Sequence, residues 1–370
     1  KTLRSLIAFT GFSLEENLNM KQKVWLWLVP MVTCVYVCLM LLKEWKLTDD
    51  INDFLYTSLL AIAWQRVFIM RIQRSRLAKL LILLEKFPMD DKEVKSHLNA
   101  ILTKVVIIFV AIPPIAVGSG VVAWYTSYGE GTLPFGSMPR WAMEYSTNMC
   151  LVIQVITYTF LGHEFLMWDG AKWSILLQLR GNFKYLNRNA RNCLGYARID
   201  CEQSSNSTLN ISWCHMQKLI KYIAVRHNYL SLATKEVELV FNKTVLISIL
   251  DLSIIFCIIL LRLSKFSSIN MEACTLLFYL MVLLTLLCGD TFLCVQVVTE
   301  SERLLYSYYE IDFVGTDLRF QKALVLLMTR AQRPTNFTIG NFAPLSMGAI
   351  VTVLKASISY LMLLMQIKDR

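Results

Sequence analysis

Polar residues recur along an otherwise apolar stretch near the end of the chain, residues 341–368. Gly348, Thr352, Lys355, Ser359 and Gln366 follow one another at steps of three or four, with one position left out, which places them on one face of a helix. A stretch of this length can cross a bilayer, where a polar stripe must face water or another helix. Two interpretations therefore stay open: a helix that lines an aqueous pore, and a helix that only packs against its neighbours.

The omitted position in this stripe is filled by apolar residues. Met362 and Leu363 occupy it, and Ile367 follows about one helical turn later. Apolar constrictions can close a pore by excluding water. On the pore interpretation, these three side chains form the gate near the outer end of the helix.

Residue types that carry catalysis or bind metals are sparse and poorly spaced. His163-Glu164 lacks a second histidine four residues on, so it is not a zinc protease motif. Cys193, Cys201 and Cys214 lack the paired spacing of a zinc site, and most other cysteines lie in apolar blocks. We therefore expect neither an enzyme nor a resident metal or cofactor.

The composition is that of a membrane protein. Hydrophobic residues make up 55% of the chain and charged residues only 17%, whereas charged residues are about a quarter of soluble domains. The apolar residues form blocks too long for ordinary core helices. The blocks predict an all-α membrane protein with seven transmembrane helices, at about residues 24–42, 54–70, 105–124, 142–167, 239–261, 274–297 and 341–368.

Several apolar blocks run into basic, amphipathic helices, which we expect to extend from the membrane as a cytoplasmic anchor. The predicted organisation has four parts: an amphipathic N-terminal segment, 1–23; six spans with helical extensions, 24–297; anchor helices, 298–340; and a pore-lining last helix, 341–370.

Lysine and arginine concentrate on one side of this topology, in segments 1–23, 71–104, 171–237 and 298–340. Basic residues near the ends of spans mark the cytoplasmic face, so the N-terminus is predicted to be cytoplasmic and the C-terminus extracellular. This orientation is the reverse of that of G-protein-coupled receptors. It also accounts for the net charge of +10 without any nucleic-acid partner.

The end of the chain resembles insect odorant receptors. The resemblance rests on Phe342, Pro344-Leu345-Ser346, Val353-Leu354-Lys355 and Ser357-Ile358-Ser359-Tyr360. Ser359-Tyr360, five apolar residues and Gln366 are also similar to the related gustatory receptors and the olfactory co-receptor. The Pro-Leu-Ser sequence favours the odorant branch, and the short segment between spans four and five argues against the co-receptor.

This resemblance implies an odorant-gated, non-selective cation channel in the plasma membrane, in the dendrites of olfactory neurons. Four subunits would surround one pore, with the olfactory co-receptor as partner of the odour-specific subunit. A gustatory-type receptor channel and a membrane transporter are the alternatives. Aligning the tail places the family's apolar gate on Leu363, with Ile367 one turn outward. Lys355 departs from expectation, because a ring of lysines would repel cations.

The resemblance also implies that a small volatile odorant binds in an apolar pocket, in the outer half of each subunit, among spans two to five. Candidate lining residues follow helical spacing on each span: Tyr56, Leu60 and Trp64; Val117, Gly120 and Trp124; Tyr145, Met149 and Ile153; Phe256 and Leu260. Asp251, in the middle of span five, is expected to face the bundle interior, either neutral or paired, since a lone charge in hydrocarbon is costly.

Overall fold

The computed structural model describes residues 20, 31, 34, 35, 38, 51–85, 92–127, 133–136, 138, 140–195, 213–264 and 270–368. The predicted N-terminal segment and first span lie almost wholly outside these residues. The described chain is nearly all α-helical, in this order: α1 Ile51–Ile72, α2 Arg74–Glu85, α3 Lys92–Ser127, α4 Arg140–Tyr145, α5 Thr147–Arg191, α6 Trp213–Leu263, α7 Met271–Tyr309, α8 Leu318–Ala331, β1 Thr338–Ile339, β2 Ala343–Pro344 and α9 Met347–Lys368.

The three longest helices in the described part of the chain far exceed the thickness of a bilayer. Helices α5, α6 and α7 have 45, 51 and 39 residues, so at about 1.5 Å per residue each is roughly 60–75 Å long. The hydrocarbon layer is only about 30 Å thick. Each helix therefore has an apolar part that can cross the membrane and an extension beyond it.

Within the described residues, length and apolar composition mark four helical segments as candidate membrane spans. They are Leu98–Thr126, Thr147–Arg191, Trp213–Leu263 and Met271–Tyr309, and Met347–Ser359 is a shorter apolar helix. These segments coincide with predicted spans three to six and part of span seven. Predicted span two forms α1, which also carries Asp53, Arg66 and Arg71.

Helix boundaries follow local chemistry. A turn at Gln73 separates α1 from α2, yet the Gln73 amide donates to the Ile69 carbonyl at 3.0 Å, so the two helices are nearly continuous. Span four was expected to be one helix from residue 142. Residues 142–145 are helical as part of α4, but a break at Ser146 separates them from α5, which begins at Thr147. Ser146 has extended backbone and its side chain accepts a hydrogen bond from the Met149 amide, which starts a new helix. Helix α3 continues through Pro113 and Pro114.

A small hairpin precedes the last helix. Thr338 and Ile339 pair with Pro344 and Ala343 in antiparallel register. Gly340 and Asn341 make the turn with φ of 57° and 65°, a left-handed conformation that suits these two residue types. The last helix therefore begins at Met347 rather than at residue 341.

The largest apolar core lies among the helical extensions. Trp168, Phe183, Tyr308 and Phe320 are among its most deeply buried side chains. Helix α8 contributes an apolar face at helical spacing to the same core. We call this part of the bundle the anchor end. Smaller apolar clusters occupy the opposite end, where α1, α3, α5, α6 and α7 surround a cavity.

Candidate ligand-binding site

A cavity of about 170 Å³ lies between α1, α3, α5, α6 and α7. A short segment between α3 and α4, residues 133–136, completes its wall. The cavity is lined by Tyr56, Leu59, Leu60, Ile62, Ala63, Ile112, Pro113, Ala116, Val117, Phe135, Tyr158, Leu161, Gly162, Phe165, Leu166, Ile255, Tyr279, Val282 and Leu283.

Three aromatic rings form one wall of the cavity. Phe135 stacks on Tyr158 with their ring centroids 4.6 Å apart, and Tyr56 meets Phe135 edge-on at 5.6 Å. The Tyr158 hydroxyl lies 3.3 Å from both the Tyr56 and the Phe135 carbonyl oxygens, which share its single hydrogen. This geometry ties α1, α5 and the 133–136 segment together.

The 133–136 segment is fixed by backbone geometry and one amide. The Gln154 side-chain nitrogen donates to the Gly136 carbonyl oxygen at 2.8 Å, and Gln154 is fully buried. Gly136 has φ of 87°, which strongly favours glycine, and a Cβ there would lie 2.9 Å from an Asp53 carboxylate oxygen. The segment thus closes one end of the cavity with Phe135 pointing at the other aromatic rings.

Small residues on α3 let α7 approach closely. The Tyr279 hydroxyl donates to the Ala116 carbonyl oxygen at 2.9 Å. A Cβ at Gly120 would lie 2.7 Å from Phe135 Cε1 and 2.8 Å from the Tyr279 hydroxyl. Glycine at this position is therefore required by the packing of both rings.

The cavity is suited to a small apolar ligand. None of the described lining residues is charged, and the hydroxyls of Tyr158 and Tyr279 donate to backbone carbonyls. A ligand here would gain free energy mainly by burying its own surface, at about 25 cal/mol per Å². Shape and aromatic contact, rather than charge, would select it.

The structure brings three of the predicted residues together on the cavity wall: Tyr56 and Leu60 from α1, and Val117 from α3. Gly120 lies behind this wall, against Phe135 and Tyr279.

Four other candidates do not line this cavity. Trp64 stacks on Phe68 with ring centroids 5.6 Å apart, and Trp124 lies one turn beyond Gly120. Phe256 is buried in an adjacent apolar cluster, against which Leu260 packs. On α6 it is Ile255 that reaches the cavity, so the lining face is offset by one residue from the predicted one.

Tyr145, Met149 and Ile153 are exposed by 87%, 58% and 45%, and none of them lines the cavity. Tyr158 lines it instead, five residues beyond Ile153. Five residues correspond to a rotation of about 140° around a helix, so the predicted positions point away from the cavity.

Sequence reasoning missed Phe135, Tyr158 and Tyr279. Phe135 stands in a turn with proline and glycine beside it, a pattern that signals a loop and gives no hint of burial. Tyr279 belongs to span six, which was not expected to contribute. The sequence signal that could have identified Tyr158 and Tyr279 is the occurrence of aromatic residues at the same depth in several spans.

A buried charge network lies beside the cavity. Arg66 of α1 donates to Asp169 of α5 at 2.7 Å, and Lys172 donates to the other Asp169 oxygen at 2.8 Å. Lys172 also pairs with Asp290 of α7, and the Trp173 indole donates to Asp290 at 2.6 Å. Each partner in these ion pairs is largely shielded from solvent, so the network joins α1, α5 and α7.

The last helix packs on α6 by one face and is exposed on the other. Ile350 and Ser357 are buried, whereas Thr352, Lys355 and Ser359 are exposed. The Thr352 and Ser359 hydroxyls donate within the helix, to the Gly348 and Lys355 carbonyl oxygens respectively.

The predicted stripe therefore lies on the exposed face as far as it is described. Met362 is 59% exposed. Leu363, Gln366 and Ile367 are helical, but their side chains lie outside the described part of the chain.

The chain is similar to known proteins both in sequence and in fold. The family model described as 7tm Odorant receptor matches residues 46–358. The fold is similar to that of the olfactory receptor OR5 of the insect Machilis hrabei in complex with eugenol, with a TM-score of 0.76 and 14% identity over 99% of this chain and 97% of that one. OR5 solved in a separate structure gives a TM-score of 0.75 with the same identity and coverage. No curated protein matches the sequence.

Proposed function

Because this chain belongs to the 7tm odorant receptor family, we propose that it is the odour-specific subunit of an odorant-gated, non-selective cation channel. Family membership and fold make it a multi-pass, seven-transmembrane receptor for odorants and not an enzyme. Gating, subunit assembly and location in the plasma membrane are the finer parts of the proposal.

The observation that carries the proposal is the apolar cavity between five helices. Its size and lining suit a small volatile molecule with few polar groups. The similar receptor OR5 was solved in complex with eugenol. We propose that the ligand of this chain contacts Tyr56, Leu60 and Val117, together with Phe135 and Tyr158.

The exposed polar face of α9 supports the pore part of the proposal. In a tetramer with the olfactory co-receptor, this face would surround the permeation path, with Met362, Leu363 and Ile367 as the apolar gate. Lys355 would lie three turns inward from Ile367, at roughly 18 Å by helical rise. With the co-receptor supplying some subunits, the lysine would not form a complete ring.

The proposal is tested by recording currents from cells that express this chain with the co-receptor, and from cells with the co-receptor alone. We expect cation currents, evoked by some members of a broad volatile panel, only when this chain is present. Silence to the whole panel with the chain at the cell surface would argue strongly against the proposal.

A matched pair of variants assigns the response to the cavity. Val117→Phe fills part of it and should abolish the evoked current. Val122→Phe adds the same volume on α3, at a side chain that is 50% exposed, and should leave the current unchanged.

A further inference from the structure

A second, much smaller cavity of about 20 Å³ adjoins the odorant cavity. Ile62, Phe165, Ile255 and Leu283 line both spaces. One layer of side chains therefore separates the two. The small cavity is more polar than the large one, because the residues that line it include Arg66, Asp169, Ser248, Asp251 and Asp290.

Two polar atoms of these residues have no hydrogen-bond partner among the described residues: Arg66 Nε and Asp251 Oδ2. The residues are only 7% and 8% exposed. Arg66 uses its Nη1 on Asp169, at 2.7 Å, and its guanidinium lies 4.1 Å from the centre of the Phe165 ring. One donor and one acceptor therefore remain available to a ligand on the residues of this cavity, since leaving them unpaired would cost free energy.

The hydroxyl group matches this arrangement. A cavity of this size holds one water-sized group. A hydroxyl can donate to Asp251 and accept from Arg66 at the same time. A carbonyl or ether oxygen can only accept and an ammonium can only donate, so each would leave one of the two atoms unsatisfied.

We propose that the small cavity is a hydroxyl subsite, which makes this receptor selective for small alcohols or phenols with an apolar body. The body occupies the odorant cavity, and the hydroxyl passes between Phe165 and Ile255 to Arg66 and Asp251. This inference rests on the proposed function, because it assumes that the odorant binds in the large cavity.

The test measures binding of matched ligand pairs to the purified receptor through the shift in its melting temperature. The pairs are the straight-chain 1-alkanols of five to nine carbons and 2-phenylethanol, each with its methyl ether. We expect at least one alcohol to bind about tenfold or more tightly than its ether, since a hydrogen bond to a charged group is at stake. Ethers that bind as tightly as their alcohols in every pair, or an absence of alcohol binding, would overturn the subsite.

The alcohol and ether pairs are measured on the wild-type receptor. They therefore test the subsite even if a substitution prevents folding. In the Asp251→Asn variant we expect the alcohol-to-ether ratio to fall severalfold, because an amide oxygen is a weaker acceptor than a carboxylate. Asp312→Asn removes the same charge from an exposed position and should keep the wild-type ratio. An unchanged ratio in Asp251→Asn would contradict the assignment of Asp251.

Failure of the subsite and failure of the proposed function give different results. Odour-evoked current with equal responses to alcohols and ethers would reject the subsite alone. Alcohol-selective binding without any evoked current would support the subsite and reject the channel function.

Discussion

At the scale of single residues, the shape of the cavity depends on positions that have no room for a larger side chain. Gly118 and Gly120 lie on the same helix two residues apart, yet only Gly120 has the rings of Phe135 and Tyr279 against it. A Cβ added at Gly118 would meet nothing within 4 Å. The two glycines therefore form a natural pair of test and control.

Gly120→Ala should damage the proposed odorant site. The added methyl must displace Phe135 or Tyr279, and overpacking of this kind costs about 1–3 kcal/mol. We expect a lower melting temperature and a weaker odour response. Gly118→Ala should retain both within error. Equal behaviour of the two variants would mean that the contacts at Gly120 do not shape the site.

Leu363→Ala tests the gate. If Leu363 closes the pore by excluding water, shortening it should raise the current in the absence of odorant. Ile358→Ala, which also removes three side-chain carbons from the same helix but outside the polar stripe, should leave that current low. Patch-clamp recording without ligand measures both, and an unaltered leak in Leu363→Ala would discredit the gate.

The sequence indicates which residue types could line a cavity more readily than it indicates which face of each helix does so. Among the residues predicted for the site on spans two and three, Tyr56, Leu60 and Val117 lie on the cavity wall. On span four, every face carries apolar residues, so periodicity alone could not distinguish the side of Ile153 from that of Tyr158. Packing against α1 and the 133–136 segment determines which side of span four faces the cavity.

At the scale of elements, the hairpin before α9 connects the last helix to α6. The Thr338 amide donates to a Glu238 carboxylate oxygen at 3.0 Å, and the Thr338 hydroxyl donates to the same oxygen. Asn242 also donates to the Asn341 side chain, at 2.5 Å. Strands of two residues have no periodicity to detect, so sequence analysis predicted helices throughout this region.

Thr338→Val should weaken this connection. The change removes one hydrogen bond to a carboxylate, worth about 1.5–3 kcal/mol, while keeping the shape of the side chain. We expect a smaller maximal odour-evoked current with unchanged odorant binding, because the cavity is left intact. Thr329→Val, at an exposed threonine that donates only within its own helix, is the control. Currents of wild-type size in Thr338→Val would show that the hairpin has no part in gating.

At the scale of the whole molecule, one buried network joins three of the cavity helices. Lys172 stands at its centre, between Asp169 and Asp290. The sequence analysis singled out Asp251 but neither Asp169 nor Asp290, and pairing across more than a hundred residues depends on helix packing. No local pattern specifies which lysine reaches which carboxylate.

Lys172→Met should destabilise the receptor strongly, by about 3–5 kcal/mol, because two carboxylates lose their shared partner. Adding Asp290→Asn should restore part of the loss by removing one uncompensated charge. Lys322→Met, at an exposed lysine of α8, should change stability by less than about 0.5 kcal/mol. Melting temperatures of the purified variants give the comparison, and a fully stable Lys172→Met would show that the network contributes little.

The continuity of α5 and α7 from the cavity into the anchor end has a mechanical consequence. Neither helix contains a proline, and helices without one seldom kink sharply, so two such rods that are clamped partway along move as whole units. If a guest molecule spreads them near Tyr158 and Tyr279, they must pivot about Trp173 and Asp290, where they are clamped together. Their far ends would then swing the opposite way, turning a small local expansion into a tilt felt about 30 Å away.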